Sequence, residues 1–176
     1  MSTHHVLHVL GAFVLLTSIV GSSQQPPQTP ATQQANMYAV PYGMPVGIEV
    51  AKKAAATALA EAAKNNWTMA AAVVDPGGNL VYYEKMDNTQ LASARVAINK
   101  ARSAALYKRP TKAFQDALAG GGAGMRVLGL EGAVPVEGGV PLIYDGKVIG
   151  AIGLSGDTSE HDAQCAKAGA EAIQKP

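Results

Sequence analysis

The 176-residue chain carries 14 Lys and Arg against 13 Asp and Glu, a formal net charge of +1. That balance argues against nucleic acid as a partner and gives an anionic membrane nothing to attract. The length suits one domain with an appendage, and a single cysteine, Cys165, excludes an intrachain disulfide.

Residues 1–23 read as a secretory signal peptide. Val6 to Val20 is a short apolar run, Gly21 and Ser23 fit the small positions before a cleavage site, and Gln24 would begin the mature chain. Met1 to His5 lacks Lys and Arg, so the α-amine and histidines supply the positive charge. The run is shorter than the roughly 20 apolar residues a membrane helix needs. A periplasmic or secreted protein with no stable span after cleavage is therefore expected. Residues 24–43, rich in Pro and Gln, predict a disordered linker, and residues 44–176 a folded domain.

Ile48 to Lys64 has Ile48, Ala51, Ala55, Leu59 and Ala62 at helical spacing. Thr68 to Val74 predicts a strand, Asp75-Pro76-Gly77-Gly78-Asn79 a turn, and Leu80 to Lys85 the returning strand. Ala92 to Tyr107 predicts a second helix, with an apolar line of Leu91, Ala94, Ile98, Ala101 and Ala105, stopped by Pro110. Arg95 and Arg102 lie one heptad apart on another face. No acidic residue occurs from Asn88 to Gln115, a window that holds Arg95, Lys100, Arg102, Lys108, Arg109 and Lys112. Such a window favours an anionic ligand or partner; the alternative is a solvated helix face. Thr111 suits the cap of a third helix, Lys112 to Ala119, which ends in three glycines.

That glycine run is no phosphate loop. Met125 and Val127 stand where G-x-G-x-x-G needs its third glycine, and no G-x-x-x-x-G-K-[ST] occurs. The run reads instead as a flexible connection or a lid beside a pocket. Val140 to Tyr144 alternates like a strand, and Asp145-Gly146 offers the positive φ values of a two-residue hairpin. Lys147 to Leu154 returns. Ser159 then reads as an N-cap, with His161 and Asp162 in the first turn of a last helix and Cys165 among its small apolar residues, where a buried, inert thiol is expected. Helices bracketing sequential hairpins imply an α/β (α+β) two-layer sandwich.

The order of short motifs goes further. Val73 to Asp75, Gly78-Asn79-Leu80, Met86-Asp87, Ser93 to Ala105, Arg109-Pro110-Thr111, Gly138 to Pro141, Gly150 to Gly153, Ser155-Gly156, His161-Asp162 and Ala166 to Gly169 occur in sequence. In this order residues 45–174 resemble the GlcG/HbpS family of haem-binding proteins, which also includes the C-terminal domain of PduO-type proteins. The resemblance implies a five-stranded antiparallel sheet of PAS/profilin-like kind, a homo-oligomer, and haem as cofactor.

His161 is then a candidate axial haem ligand, the alternative being a surface histidine at a helix N-terminus. Met86, Met125, Tyr107 and Tyr144 are further donors whose ordinary role is packing. Arg95, Arg102, Arg109 and Lys112 suit haem propionates, and Thr111 caps a helix, meets a ligand, or does both. Asp162 reads as a capping carboxylate. Ser155, His161 and Asp157 would supply a catalytic grouping, but the nucleophile elbow G-x-S-x-G is absent, and one His with one Cys builds no structural zinc site. The reading is an exported haem carrier or redox-linked sensor. Its alternatives are a small organic-acid binding or catabolic accessory protein without haem, and a haem-degrading enzyme.

Overall fold

The computed structural model describes Met1 and residues 37–174. The signal-peptide reading, and the linker reading over residues 24–36, lie outside the described residues. Four α-helices and four strands follow one another: α1 (Ile48–Lys64), β1 (Ala70–Val74), β2 (Leu80–Lys85), α2 (Ser93–Tyr107), α3 (Lys112–Ala119), β3 (Gly139–Tyr144), β4 (Lys147–Ser155) and α4 (Ser159–Ala172). Short 3-10 helices span Met37–Ala39 and Gly122–Gly129.

The sheet has four strands in the order β2-β1-β4-β3, every pair antiparallel, rather than the expected five. The nearest approach to a fifth is one parallel bridge, Tyr42 to Val148. There Gly43 N–H donates to Val148 O at 2.9 Å, and Val148 N–H donates to Pro41 O at 2.9 Å. Pro41 and Pro45 have no N–H to extend this ladder, so it stays a contact and not a strand. Residues 37–43, assigned to the linker from the sequence, thus lie against the domain.

The sandwich has three layers instead of two. All five residues of β1 are fully buried, which requires cover on both faces. Ala71 and Val73 share a core with α1 and α4, including Ala54, Ala58, Cys165 and Ala166. On the opposite face Ala70 and Ala72 pack on Ala97 of α2, and Val74 packs with Ala101, Ala104 and Ala105. The burial of β1 is continuous, but its alanines are small enough to suit an exposed face as well as a covered one, so the sequence leaves the third layer open.

Helix faces differ from the predicted lines in an informative way. Ile48 and Leu91 are exposed, whereas Ser93, Lys100 and Ser103 of α2 are buried. Each of these polar side chains has a partner: Val134 N–H donates to Ser103 Oγ at 3.0 Å, Ser155 Oγ–H to Ser93 Oγ at 3.2 Å, and Lys100 reaches a carboxylate. The second hairpin turns as expected, with φ of 49° at Asp145 and 68° at Gly146.

Candidate functional site

A groove of about 950 Å³ opens between β3, α3, α4 and the 3-10 turn at Met37–Ala39. Its walls include Val140, Pro141 and Ile143 from β3, Ala163 and Ala170 from α4, and Ala113 from α3. One strand and two helices border it, and the small residues Ala163 and Ala170 on α4 leave space that longer ones would fill. Arg109, Lys112 and Lys167 bring positive charge to the groove, and Asp116, Glu137 and Glu171 bring negative charge.

These charges are not equivalent. Lys112 Nζ lies 2.8 Å from Asp116 Oδ1, and both side chains are about half exposed. The hydrogen bond from Lys112 to Asp116 raises the lysine pKa, helped by the field of Asp116, Glu137 and Glu160 against partial desolvation. Glu137 is buried, and Gln115 Nε2–H donates to its carboxylate at 3.4 Å while Glu137 N–H donates to Gln115 Oε1 at 2.9 Å. Lys167 forms no ion pair among the described residues. Arg109 is held from three sides: its Nε–H donates to Tyr107 O at 3.1 Å, its Nη1–H donates to the Tyr38 hydroxyl, and its guanidinium lies 4.1 Å from the Tyr38 ring centre and 5.1 Å from that of Phe114.

Thr111 borders the groove without opening into it. It is fully buried; its N–H donates to Gly139 O at 3.0 Å and its Oγ1 accepts from Gly139 N–H at 2.9 Å. It makes no side-chain cap on α3. The hydroxyl instead clamps the start of β3 to the start of α3, fixing two walls relative to each other.

The other predicted residues lie elsewhere. Arg102 Nε–H donates to Gly78 O at 2.9 Å and steadies the β1–β2 turn, and Arg95 is exposed on α2. Neither lines the groove. His161 sits on the side of α4 turned away from Ala163 and Ala170 by helical spacing. Its ring stacks on Trp67 with centroids 3.8 Å apart, and its Nδ1 is 2.7 Å from Asp157 Oδ1. Thr158, not Ser159, caps α4, its Oγ1 accepting from His161 N–H at 3.3 Å. The six residues grouped from the sequence thus separate into three places, and only Arg109, Lys112 and the clamp of Thr111 converge on one.

Asp157 gives this corner a pH dependence. The Thr158 N–H and then His161 hold its carboxyl below the usual aspartate range. A depressed pKa stabilises the fold above the unfolded value, and that contribution is lost as pH falls through the folded value. Asp157→Asn is expected to flatten the acid side of the Tm-versus-pH profile, read by thermal melts from neutral pH downward. An unchanged slope would show that Asp157 does not carry the effect.

None of the remaining sequence candidates lines the groove. Ser155 bonds Ser93 and not His161, so no nucleophile–base pair forms. Met86 Sδ accepts from Met69 N–H at 3.5 Å, Tyr107 O–H donates to Glu131 O at 2.6 Å, and Met125 and Tyr144 are exposed. Burial pushes the Cys165 thiol up to about 12, which leaves it protonated and inert. Among the described residues no three His, Cys, Asp or Glu side chains gather to hold a metal ion, and no helix is long and apolar enough to cross a membrane.

Asp162 does more than cap α4: its Oδ1 accepts from Asp157 N–H at 3.4 Å, and its other oxygen meets Lys100. It is buried beneath Gly138, and Lys100 Nζ lies 2.7 Å from its Oδ2, with side-chain exposures of 1% and 3%. Burial raises the Asp162 pKa, against the opposing pull of the ammonium and of backbone N–H groups at Asp157 and Gly156. Lys100 belongs to the acid-free window, so its partner 62 residues away was invisible to local charge patterning.

Residues 46–171 match the family model described as "Haem degrading protein HbpS-like". Protein GlcG of Escherichia coli K12 is 39% identical over 100 residues, covering 57% of this chain and 73% of GlcG. A double mutant of HbpS from Streptomyces reticuli superposes with a TM-score of 0.67 at 25% identity, covering 92% of this chain and 97% of the other. PduOC, solved in complex with haem, superposes at 0.66 and 24% identity over 73% of this chain and 95% of its own. At that identity it speaks for the fold.

Proposed function

The chain belongs to the HbpS-like family, and on that premise we propose that it binds haem in the groove between β3, α3 and α4. The observation that carries the proposal is the composition of one cleft. Apolar walls from Val140, Pro141 and Ile143 face a rim with Lys112 on α3 and Lys167 on α4. Its volume of about 950 Å³ lies within the ~300–1,000 Å³ range of small-molecule sites.

The residues suit such a ligand. An apolar macrocycle needs desolvated walls, and its carboxylates need cations on the rim. Lys112 and Lys167 would take the carboxylates, while Val140, Pro141 and Ile143 exclude water from the ring. Once bound, haem would supply an iron centre for electron exchange or small-ligand binding. An exported carrier or redox-linked sensor that assembles as a homo-oligomer belongs to the same proposal. Haem degradation is the second reading, favoured by the description of the matched family. A small organic acid at the same lysines is the reading without haem.

Haemin titration of the full chain tests this. A saturable, stoichiometric Soret shift is expected, weakened about tenfold or more in Lys112→Ala/Lys167→Ala because a charge-assisted bond contributes ~1.5–3 kcal/mol. His161→Ala should bind as the wild type does. Loss of the shift in His161→Ala alone would remove the groove as the site. No shift beyond that of an unrelated protein would end the haem reading and leave the organic acid. Disappearance of the bound band under reductant and oxygen would select degradation over carriage.

A further inference from the structure

We propose that Tyr38 is the iron-ligating side chain of the groove, with Arg109 holding its phenolic oxygen; this rests on the haem reading above. Haem iron takes axial donors from His, Cys, Met or Tyr. The groove wall contains neither His nor Cys. His161, the only histidine among the described residues, lies on the opposite side of α4 with its ring on Trp67. Cys165 is buried in the core between α4 and the sheet. Of the lining residues, Tyr38 and Met37 alone carry one of those donors.

Tyr38 is the one that is held. The guanidinium of Arg109 both donates to its hydroxyl and lies against its ring, and is itself fixed by Tyr107 O and Phe114. The backbone that carries Tyr38 is strapped down beside it. Lys108 Nζ donates to Val40 O at 2.8 Å and lies 4.4 Å from the Tyr42 ring centre. Tyr42 O–H is 3.1 Å from both Ala105 O and Leu106 O at the end of α2. The phenol is thereby held at the wall of the groove.

The chemistry is consistent with that geometry. Ligation breaks the phenolic O–H bond, releases the proton to solvent and forms an oxygen–iron bond, while the iron remains ferric and no electron moves. The oxygen then carries anionic character, which an adjacent guanidinium donor stabilises. A side chain that hydrogen-bonds a metal ligand in this way is worth 10–100-fold in affinity. Met37, by contrast, offers a soft thioether that suits the ferrous state, and no hydrogen bond among the described residues fixes its sulfur.

The test uses the full chain titrated with ferric haemin and read by resonance Raman and EPR. The wild type is expected to show a phenolate–iron mode and a high-spin ferric signal. Tyr38→Phe, which keeps the ring over Arg109, should lose the phenolate mode. Tyr38→His should replace it with an imidazole signature, and Arg109→Gln should weaken binding about 10–100-fold with the Raman mode shifted. Haem bound to Tyr38→Phe with unchanged spectrum and affinity would overturn the assignment and leave haem in the groove standing. A wild-type chain that takes up no haem would overturn both.

Discussion

Asp162→Ala is expected to cost the fold about 3–5 kcal/mol, because it leaves the Lys100 ammonium buried without a counter-charge. The pair lies 2.7 Å apart where α2, α4 and the start of β3 meet, with Lys100 1% exposed. A Cβ at Gly138 would come within 2.8 Å of both Asp162 Cβ and Lys100 Nζ, so the backbone of Gly138 packs directly on the pair. At this chain length the loss lowers Tm by on the order of 10 °C or more. Burial outweighs the partner's pull on the Asp162 carboxyl, raising its pKa. The ion pair is therefore expensive to keep as well as to break. A folded carboxyl pKa above the unfolded one means that this group's contribution falls as pH rises between the two. The apolar double variant Lys100→Met/Asp162→Leu should accordingly recover most of the stability that Asp162→Ala loses. Thermal and urea melts of the wild type and both variants decide it. A double variant as unstable as the single one would mean that the pair contributes more than mutual neutralisation.

What could be read from the sequence divides along physical lines. Local signals carried well: the Asp145-Gly146 turn, the helix stop before Pro110 and the period of α1 each depend on neighbours in the chain. Facing did not carry. Alanines at Ala70, Ala71 and Ala72 suit either side of a sheet, so the sequence could not show that α2 covers the face opposite α1 and α4. The candidate site was half legible for the same reason. Arg109, Lys112 and Thr111 are near in sequence and stay near in space. Arg95 and Arg102 share their helix or window but point to other surroundings, and His161 is turned away by less than one turn of α4. Tyr38 stood in a stretch assigned to the linker, and nothing local marks it. A tyrosine beside Met37 and ahead of Pro41 gains meaning only when Arg109, 71 residues later, reaches its hydroxyl. Lys100 is the counterpart case. Its charge counted toward an anionic ligand in the sequence, and the fold spends it on Asp162.

Gly153→Ala should destabilise by about 3 kcal/mol, at the upper end of what overpacking one methyl costs. Gly139 and Gly153 face each other across the β3–β4 ladder, and α2 lies directly on them. A Cβ at Gly153 would sit 2.2 Å from Ala97 O and 2.6 Å from Ala101 N; one at Gly139 would sit 2.3 Å from Lys100 O and 2.8 Å from Thr111 Cγ2. These contacts are mostly backbone, which cannot swing aside as a long side chain would, so α2 itself must lift. Lifting it strips contacts from Ala97, Ala101 and Ala104, all fully buried. The same movement at Gly139 would pull Lys100 from Asp162 and loosen the Thr111 clamp that fixes the groove walls. Gly139→Ala is thus expected to lose haem affinity along with stability, while Gly153→Ala, farther from Thr111, loses stability with affinity largely kept. Gly129→Ala serves as the control: nothing lies within 4 Å of its added methyl, and a surface change of that kind stays within about 0.5 kcal/mol. Melts of the three variants, with haemin titrations at a temperature where all are folded, separate the two glycines. Should Gly153→Ala melt with the control, α2 can shift without cost and the close packing on the glycine pair is not what holds the third layer.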